Sequence, residues 1–305
     1  MRHPEDLSPD VTPEALNWNS MRDADPAAQS TKTISLLGIP FDANSSYLRG
    51  PARAPQAIRD ELYSGSSNLW TEDGIDLGRT GSFHDAGDVA LPDDPAAAFL
   101  AIESAVDQTL KLGHPLICLS GDHSVTYPTI RAFHAHYPEL TILHFDAHPD
   151  LYDVLDGNRL SHACPFARIM EERLARRLVQ VGIRTINSHQ LSQAIKFSVE
   201  VITMRNLDRS PALKFDGPLF ISLDLDVLDP AFAPGISHYE PGGMSVREVL
   251  DCIQGLKAPV VGADIVEYNP TRDVHGQTAM VCAKFMKEIA AAMLRQNDVA
   301  PGNWP

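Results

Sequence analysis

From about residue 33 onward, short runs of aliphatic and β-branched residues alternate with longer stretches whose apolar positions recur at helical spacing. The runs fall at 33–39, 115–119, 140–145, 178–183, 219–223 and 260–263. Each is apolar nearly throughout rather than at every second position, the pattern of a strand covered on both faces in a parallel sheet. The stretches 95–112, 125–136, 165–177, 246–256 and 277–296 predict helices. Strands alternating with helices predict a doubly wound α/β domain with right-handed crossovers, three layers of α-β-α around a mostly parallel sheet. Residues 1–30 are polar and rich in Pro, Asp and Ser, and read as an N-terminal arm; residues 31–305 read as a single domain. No internal repeat or low-complexity tract interrupts the pattern.

Composition narrows the class of partner. The 305 residues are 44% hydrophobic and 21% charged, ordinary for a globular protein with a large core. A formal charge of −15 opposes binding to nucleic acid or to an anionic membrane surface. No apolar run approaches the ~18 residues of a spanning helix. The opening residues lack the basic and apolar regions of a secretory leader. Cys118, Cys164, Cys252 and Cys282 are scattered with no C-x-x-C pair. That spacing suits free thiols in a reducing compartment, and a cytoplasmic location is expected.

A doubly wound fold builds its site beyond the C-terminal ends of its strands. Here those ends carry Gly121-Asp122-His123-Ser124, Asp146-Ala147-His148-Pro149-Asp150, Asp224-Leu225-Asp226 and Asp264-Ile265-Val266-Glu267. Any one of these could be a helix cap or turn. Together, His123, Asp146, His148, Asp150, Asp224 and Asp226 converge from three strand ends on one crevice. So many carboxylates share a low-dielectric cleft only when cations neutralise them. Oxygen-rich ligation with some imidazole suits manganese or a similar divalent ion, and four aspartates balance two such ions. A binuclear metal centre is expected.

The same residues resemble the signature motifs of the ureohydrolase family of arginases and agmatinases. The motifs are Gly121-Asp122-His123-Ser124, Asp146-Ala147-His148-Pro149-Asp150 and Ser222-Leu223-Asp224-Leu225-Asp226-Val227-Leu228-Asp229-Pro230. The resemblance runs from about Leu37 to the last helix and is strongest to plant-type arginases, through Gly157-Asn158-Arg159-Leu160-Ser161-His162-Ala163 and Val261-Gly262-Ala263-Asp264-Ile265-Val266-Glu267-Tyr268-Asn269-Pro270. It implies an arginase-type fold and two Mn2+ per subunit. His123, Asp146, Asp150 and Asp224 would hold one ion and His148, Asp146, Asp224 and Asp226 the other. It further implies attack by a metal-bridging hydroxide on a small guanidino substrate, L-arginine giving L-ornithine and urea. Glu267 would bind the guanidinium, and His162 would shuttle a proton to the leaving amine. Homotrimers or homohexamers are implied as well.

Two departures bear on these expectations. Ser120 stands where the family usually has a second Gly before Gly-Asp-His. Asn187 stands where many arginases carry an Asp that anchors the substrate's α-ammonium, although plant-type arginases share the Asn. The α-carboxylate contacts then fall to the loop around Asn158 and Ser161. Agmatine, guanidinobutyrate or guanidine is the alternative substrate within the same chemistry. A catalytically silent metal-bound scaffold would require a lost ligand, and none is lost. A zinc deacetylase of related fold would need one metal, against which the second Asp pair and Glu267 argue.

Overall fold

The computed structural model describes residues 33–79, 81–209 and 213–296. The arm expected over residues 1–30 lies outside them. Among the described residues eight strands form one sheet: β1 (Ile34–Ile39), β2 (Phe83–Asp88), β3 (Leu116–Ser120), β4 (Thr141–Phe145), β5 (Arg177–Ile183), β6 (Glu200–Thr203), β7 (Leu219–Asp224) and β8 (Val260–Val266). Their order is β2-β1-β3-β8-β7-β4-β5-β6, and every neighbouring pair is parallel. The six strands expected from the apolar runs are all present. The two that the pattern does not announce, β2 and β6, are the sheet's edges. The edge strand β2 reads Phe-His-Asp-Ala-Gly-Asp and is exposed almost throughout, so it needs no apolar run.

Among the described residues seven α-helices accompany the strands: α1 (Ala54–Leu62), α2 (Pro95–Leu110), α3 (Thr126–His136), α4 (Pro165–Glu171), α5 (Ser188–Lys196), α6 (Val246–Gln254) and α7 (Gln277–Gln296). Local chemistry sets their ends. The Asp94 carboxylate accepts from the Ala97 N–H ahead of Pro95, which presets the first turn of α2. Ser245 and Glu248 form a reciprocal capping box at α6. The helix expected to run from 165 to 177 is shorter. It ends at Glu171, Arg173 takes a left-handed φ of 56°, and Arg177 already opens β5.

Alternate residues of each inner strand face opposite layers. Leu36, Ile117, Leu143 and Ile221 pack with Ile58, Leu250, Ile253 and Phe285, from α1, α6 and α7. Ile39, Cys118, Ile142 and Phe220 pack with Ile102, Ile130, Phe133 and Phe166, from α2, α3 and α4. Being buried on both faces is what makes these strands apolar at successive positions. The apolar stripe of α7, with Cys282, Phe285, Met286 and Ile289 all fully buried, is spent on this core.

The consequence for chemistry is that β3, β8, β7 and β4 lie side by side with their C-terminal ends together. Between β3 and β4 in the chain, the path steps over the places later filled by β8 and β7. That is the crevice where such sheets bind ligands. Gly121 closes the exit of β3 against β1: its N–H donates to the Ile39 carbonyl and the next N–H, of Asp122, to that of Phe41. A Cβ at Gly121 would run into the Phe41 carbonyl, so glycine is required there.

Candidate metal centre

Four strand exits deliver the expected residues to one place. His123 follows β3; Asp146, His148 and Asp150 follow β4; Asp224 ends β7 and Asp226 sits in the turn after it; Glu267 follows β8. Asp150 and Glu267 hold left-handed φ of 49° and 62°, unfavourable for non-glycine residues and typical of side chains aimed by a fixed frame.

The His123 Nδ1 lies 3.3 Å from Asp146 Oδ2, 3.1 Å from Asp150 Oδ2 and 3.1 Å from Asp224 Oδ2. The His148 Nδ1 lies 3.0 Å from Asp226 Oδ2 and 3.4 Å from Asp146 Oδ1. Asp146 thus turns one oxygen to each imidazole, the disposition of a bridging carboxylate. His123 Nδ1 is fully buried and makes no directed hydrogen bond, because it is aimed between the three carboxylates. Burial drives the Asp224 carboxyl well above the ordinary range, and the charges of Asp226 and Asp146 drive it further. Burial likewise raises Asp226. Acids under that pressure either keep protons or take up cations. An orphaned imidazole nitrogen among crowded oxygens fits the cation.

Surrounding groups fix these donors. The His123 Nε2 sits 3.0 Å from the Ser222 Oγ, whose hydroxyl donates to Asp264 at 2.7 Å. The His144 Nε2 lies 2.8 Å from Asp146 Oδ2, and its Nδ1 lies 3.0 Å from the Gln180 side-chain nitrogen. Asp122 is buried and accepts from the Asn44 N–H; its carboxyl is raised to about 6, chiefly by burial. Arg184 donates to the main-chain carbonyls of Gly182, Asp226, Val227, Leu228 and Glu240, tying the Asp226 turn to the loop that carries His238.

Next to the cluster, His162 Nδ1 lies 2.8 Å from Glu267 Oε1, and its Nε2 lies 2.8 Å from the Ser46 Oγ. Burial works against the imidazolium, but the Glu267 carboxylate outweighs it and the pKa rises to about 9. A cavity of about 200 Å³ opens over the cluster. Its lining includes His148, Asp224, His162 and Glu267 on the side of the cluster, and Tyr152, Thr185, Asn187 and Gln190 in its far wall. The sequence pattern did not single out His238, His144 or Ser46. His238 lies in a loop that follows no strand, and His144 lies inside a strand and reads as core. Asn158 and Ser161 do not line this cavity. The Asn158 amide donates to Asn44 Oδ1 at 3.1 Å and its carbonyl oxygen accepts from the Leu160 N–H, while Ser161 is buried.

A parallel α/β sheet with an imidazole–carboxylate cluster across its central strand ends defines the class of metal-dependent hydrolases that work at a topological switch point. The chain belongs to the arginase family, whose model matches residues 32–292. It is 46% identical over 275 residues to "Arginase 1, mitochondrial" of Arabidopsis thaliana, covering 85% of this chain and 80% of that one. It is 32% identical to the agmatinase of Bacillus subtilis, covering 85% of this chain and 91% of that one. The solved arginase of Medicago truncatula superposes with a TM-score of 0.81 at 40% identity, covering 90% of this chain and 91% of that one.

These relatives correct the expected location. The Arabidopsis protein and other plant relatives are named mitochondrial or chloroplastic, which points to an organelle rather than the cytoplasm. The expectation rested on a missing secretory leader and on free thiols. Neither discriminates here, because organelle import signals are amphipathic and lack the apolar core of a secretory leader.

Proposed function

We propose that this chain is a ureohydrolase that hydrolyses the guanidino group of L-arginine to L-ornithine and urea. The observation that supports it most is the juxtaposition of Glu267 and His162 at 2.8 Å beside the carboxylate cluster, inside a chain of the arginase family. In this reading His123, Asp146, Asp150 and Asp224 hold one Mn2+, and His148, Asp146, Asp224 and Asp226 hold the second. Ions held there would neutralise the carboxylates and would lower the pKa of water toward about 7, supplying a nucleophile at neutral pH.

The protein's own groups do the rest. Glu267 offers a carboxylate to the planar guanidinium through parallel N–H···O bonds and orients its carbon toward the cluster. His162, protonated at neutral pH with a pKa near 9, delivers a proton to the departing amine as the carbon–nitrogen bond breaks. The α-amino acid end of the substrate reaches the far wall. There the Asn187 amide donates to the Tyr152 hydroxyl at 2.6 Å, and Gln190 and Thr185 complete the lining. We assign recognition of that end to these side chains, with Asn158 acting through Asn44. A homo-oligomer is supported by Leu191 and Ile195, exposed apolar residues one turn apart on α5.

The test is urea release from manganese-loaded protein offered arginine, agmatine, guanidinobutyrate and guanidine in parallel. Urea from arginine alone supports the assignment. Urea mainly from another guanidine overturns the substrate and leaves the chemistry in place. No urea from any of them, with two ions bound, overturns the reaction.

A further inference from the structure

One group at the mouth of the cavity has no part in the chemistry above. His238 faces His162 with ring centroids 5.3 Å apart and faces His148 at 6.2 Å, so it stands between the carboxylate cluster and the Glu267 pair. It is half-buried, and no ring nitrogen of His238 has a hydrogen-bond partner among the described residues. One donor atom each from His162, His238 and Glu267 falls within 4.8 Å of the other two. None of the three belongs to the ligand sets assigned to the paired ions.

We propose that His162, His238 and Glu267 form a third cation site, selective for zinc or a similar imidazole-seeking ion, whose occupation inhibits the enzyme. Two imidazoles and one carboxylate make a recurrent zinc donor set, with a fourth position left to water. The paired centre is richer in oxygen, which suits manganese; the third site is richer in nitrogen, and zinc binds nitrogen donors more tightly than manganese does. Ser46 supplies the outer support. Its hydroxyl, 2.8 Å from His162 Nε2, accepts that nitrogen's proton and leaves Nδ1 to face the site. Zinc then takes the place of the proton that His162 and Glu267 share, and that proton leaves to solvent. Inhibition follows because the ion engages both the carboxylate proposed to hold the guanidinium and the imidazole proposed to protonate the amine. This consequence rests on the function proposed above; the binding of zinc does not.

The experiment titrates zinc chloride into the manganese-loaded full-length protein, with manganese in excess, and measures both metals by mass spectrometry after desalting. The expected result is one zinc per chain with manganese retained, and binding at least about tenfold weaker in His238→Ala, in line with the loss of a ligand or its support. His238→Cys, which restores a donor atom, is expected to recover zinc binding, while the manganese content and melting temperature of both variants report their fold. Zinc that enters only as manganese leaves overturns the site. So does equal zinc binding by His238→Ala, or the absence of bound zinc in the unsubstituted protein. Arginine that expels the zinc supports the shared use of Glu267. Zinc that binds through His238 yet ignores arginine leaves the site standing and overturns the role given to Glu267.

Discussion

His123 and Ser222 are joined across the crevice: the imidazole Nε2 lies 3.0 Å from the serine hydroxyl, which in turn donates to the buried Asp264. The link makes Nε2 the protonated nitrogen and presents Nδ1 to the carboxylates. Such outer contacts are worth about 10- to 100-fold in metal affinity. Ser222→Ala is therefore expected to lose one ion in that proportion during dialysis against dilute chelator, with the second ion less affected. Metal analysis of the dialysed protein checks it.

Removing the metals has a structural cost. Asp224 and Asp226 are buried and raised, so the metal-free cluster holds its charges at a disadvantage that bound cations relieve. Ligand at 100 times its dissociation constant adds about 2.7 kcal/mol to stability. Melting curves with EDTA should fall several degrees below those with excess manganese and recover on adding it back. The interval should shrink in Asp224→Asn.

Glu267→Gln keeps the shape of the side chain and an acceptor for the His123 N–H, which now donates to Glu267 Oε1 at 2.9 Å. It removes the charge that would pair with the guanidinium. Loss of one partner of a buried charged pair costs about 2–5 kcal/mol, so kcat/KM for arginine should fall by about 10²-fold or more. Both metal ions should stay bound, which separates this loss from damage to the centre.

Asn187 caps α5 by accepting from the Gln190 N–H at 2.9 Å, a task aspartate performs equally well. Asn187→Asp is expected to fold normally and to place a negative charge at the far wall. Arginine ends there in its α-ammonium, the group that an aspartate at this position anchors in many arginases. A charged hydrogen bond is worth about 1.5–3 kcal/mol, so kcat/KM for arginine should rise by about tenfold, with any change for agmatine read alongside it. Steady-state kinetics on both substrates reads the shift.

Away from the site, Glu72 ties its loop to α6 and α7 through Arg247, Gln254 and Lys284. These partners hold its carboxyl well below the ordinary range, Arg247 first among them. A lowered folded-state pKa gives stability that is present above the unfolded value of about 4.3 and lost as pH falls through the folded one. The group is partly exposed, so Glu72→Gln should cost no more than about 1 kcal/mol at pH 7. The difference between variant and parent in urea midpoint should narrow at pH 3.

Much of this architecture could be read from the chain. Buried parallel strands leave continuous apolar runs, and Asp and His placed just after such runs stand out against them. What escaped has physical reasons. The strand β2 is an exposed edge whose pairing, Ile34 with Phe83 onward, is a matter of backbone, and α1 is a short helix with Pro55 in its first turn. His144 sits on a strand where its polarity is satisfied by Asp146 and Gln180, so a core reading is natural. The Asn158–Ser161 loop lies near the site in sequence, yet the strand that follows brings Asn187 and Gln190 to the cavity wall in its place.

The donors of the cluster come from strands that are neighbours in space and strangers in sequence, with β3 and β4 separated in the sheet by β8 and β7. No hairpin, no single crossover unit and no half of the chain contains a complete set of ligands. Metal held by this cluster would therefore be a keystone: it could not be seated until the last of the ligand-bearing strands had slotted between the first ones. Once seated, it pins shut the arch that made room for it.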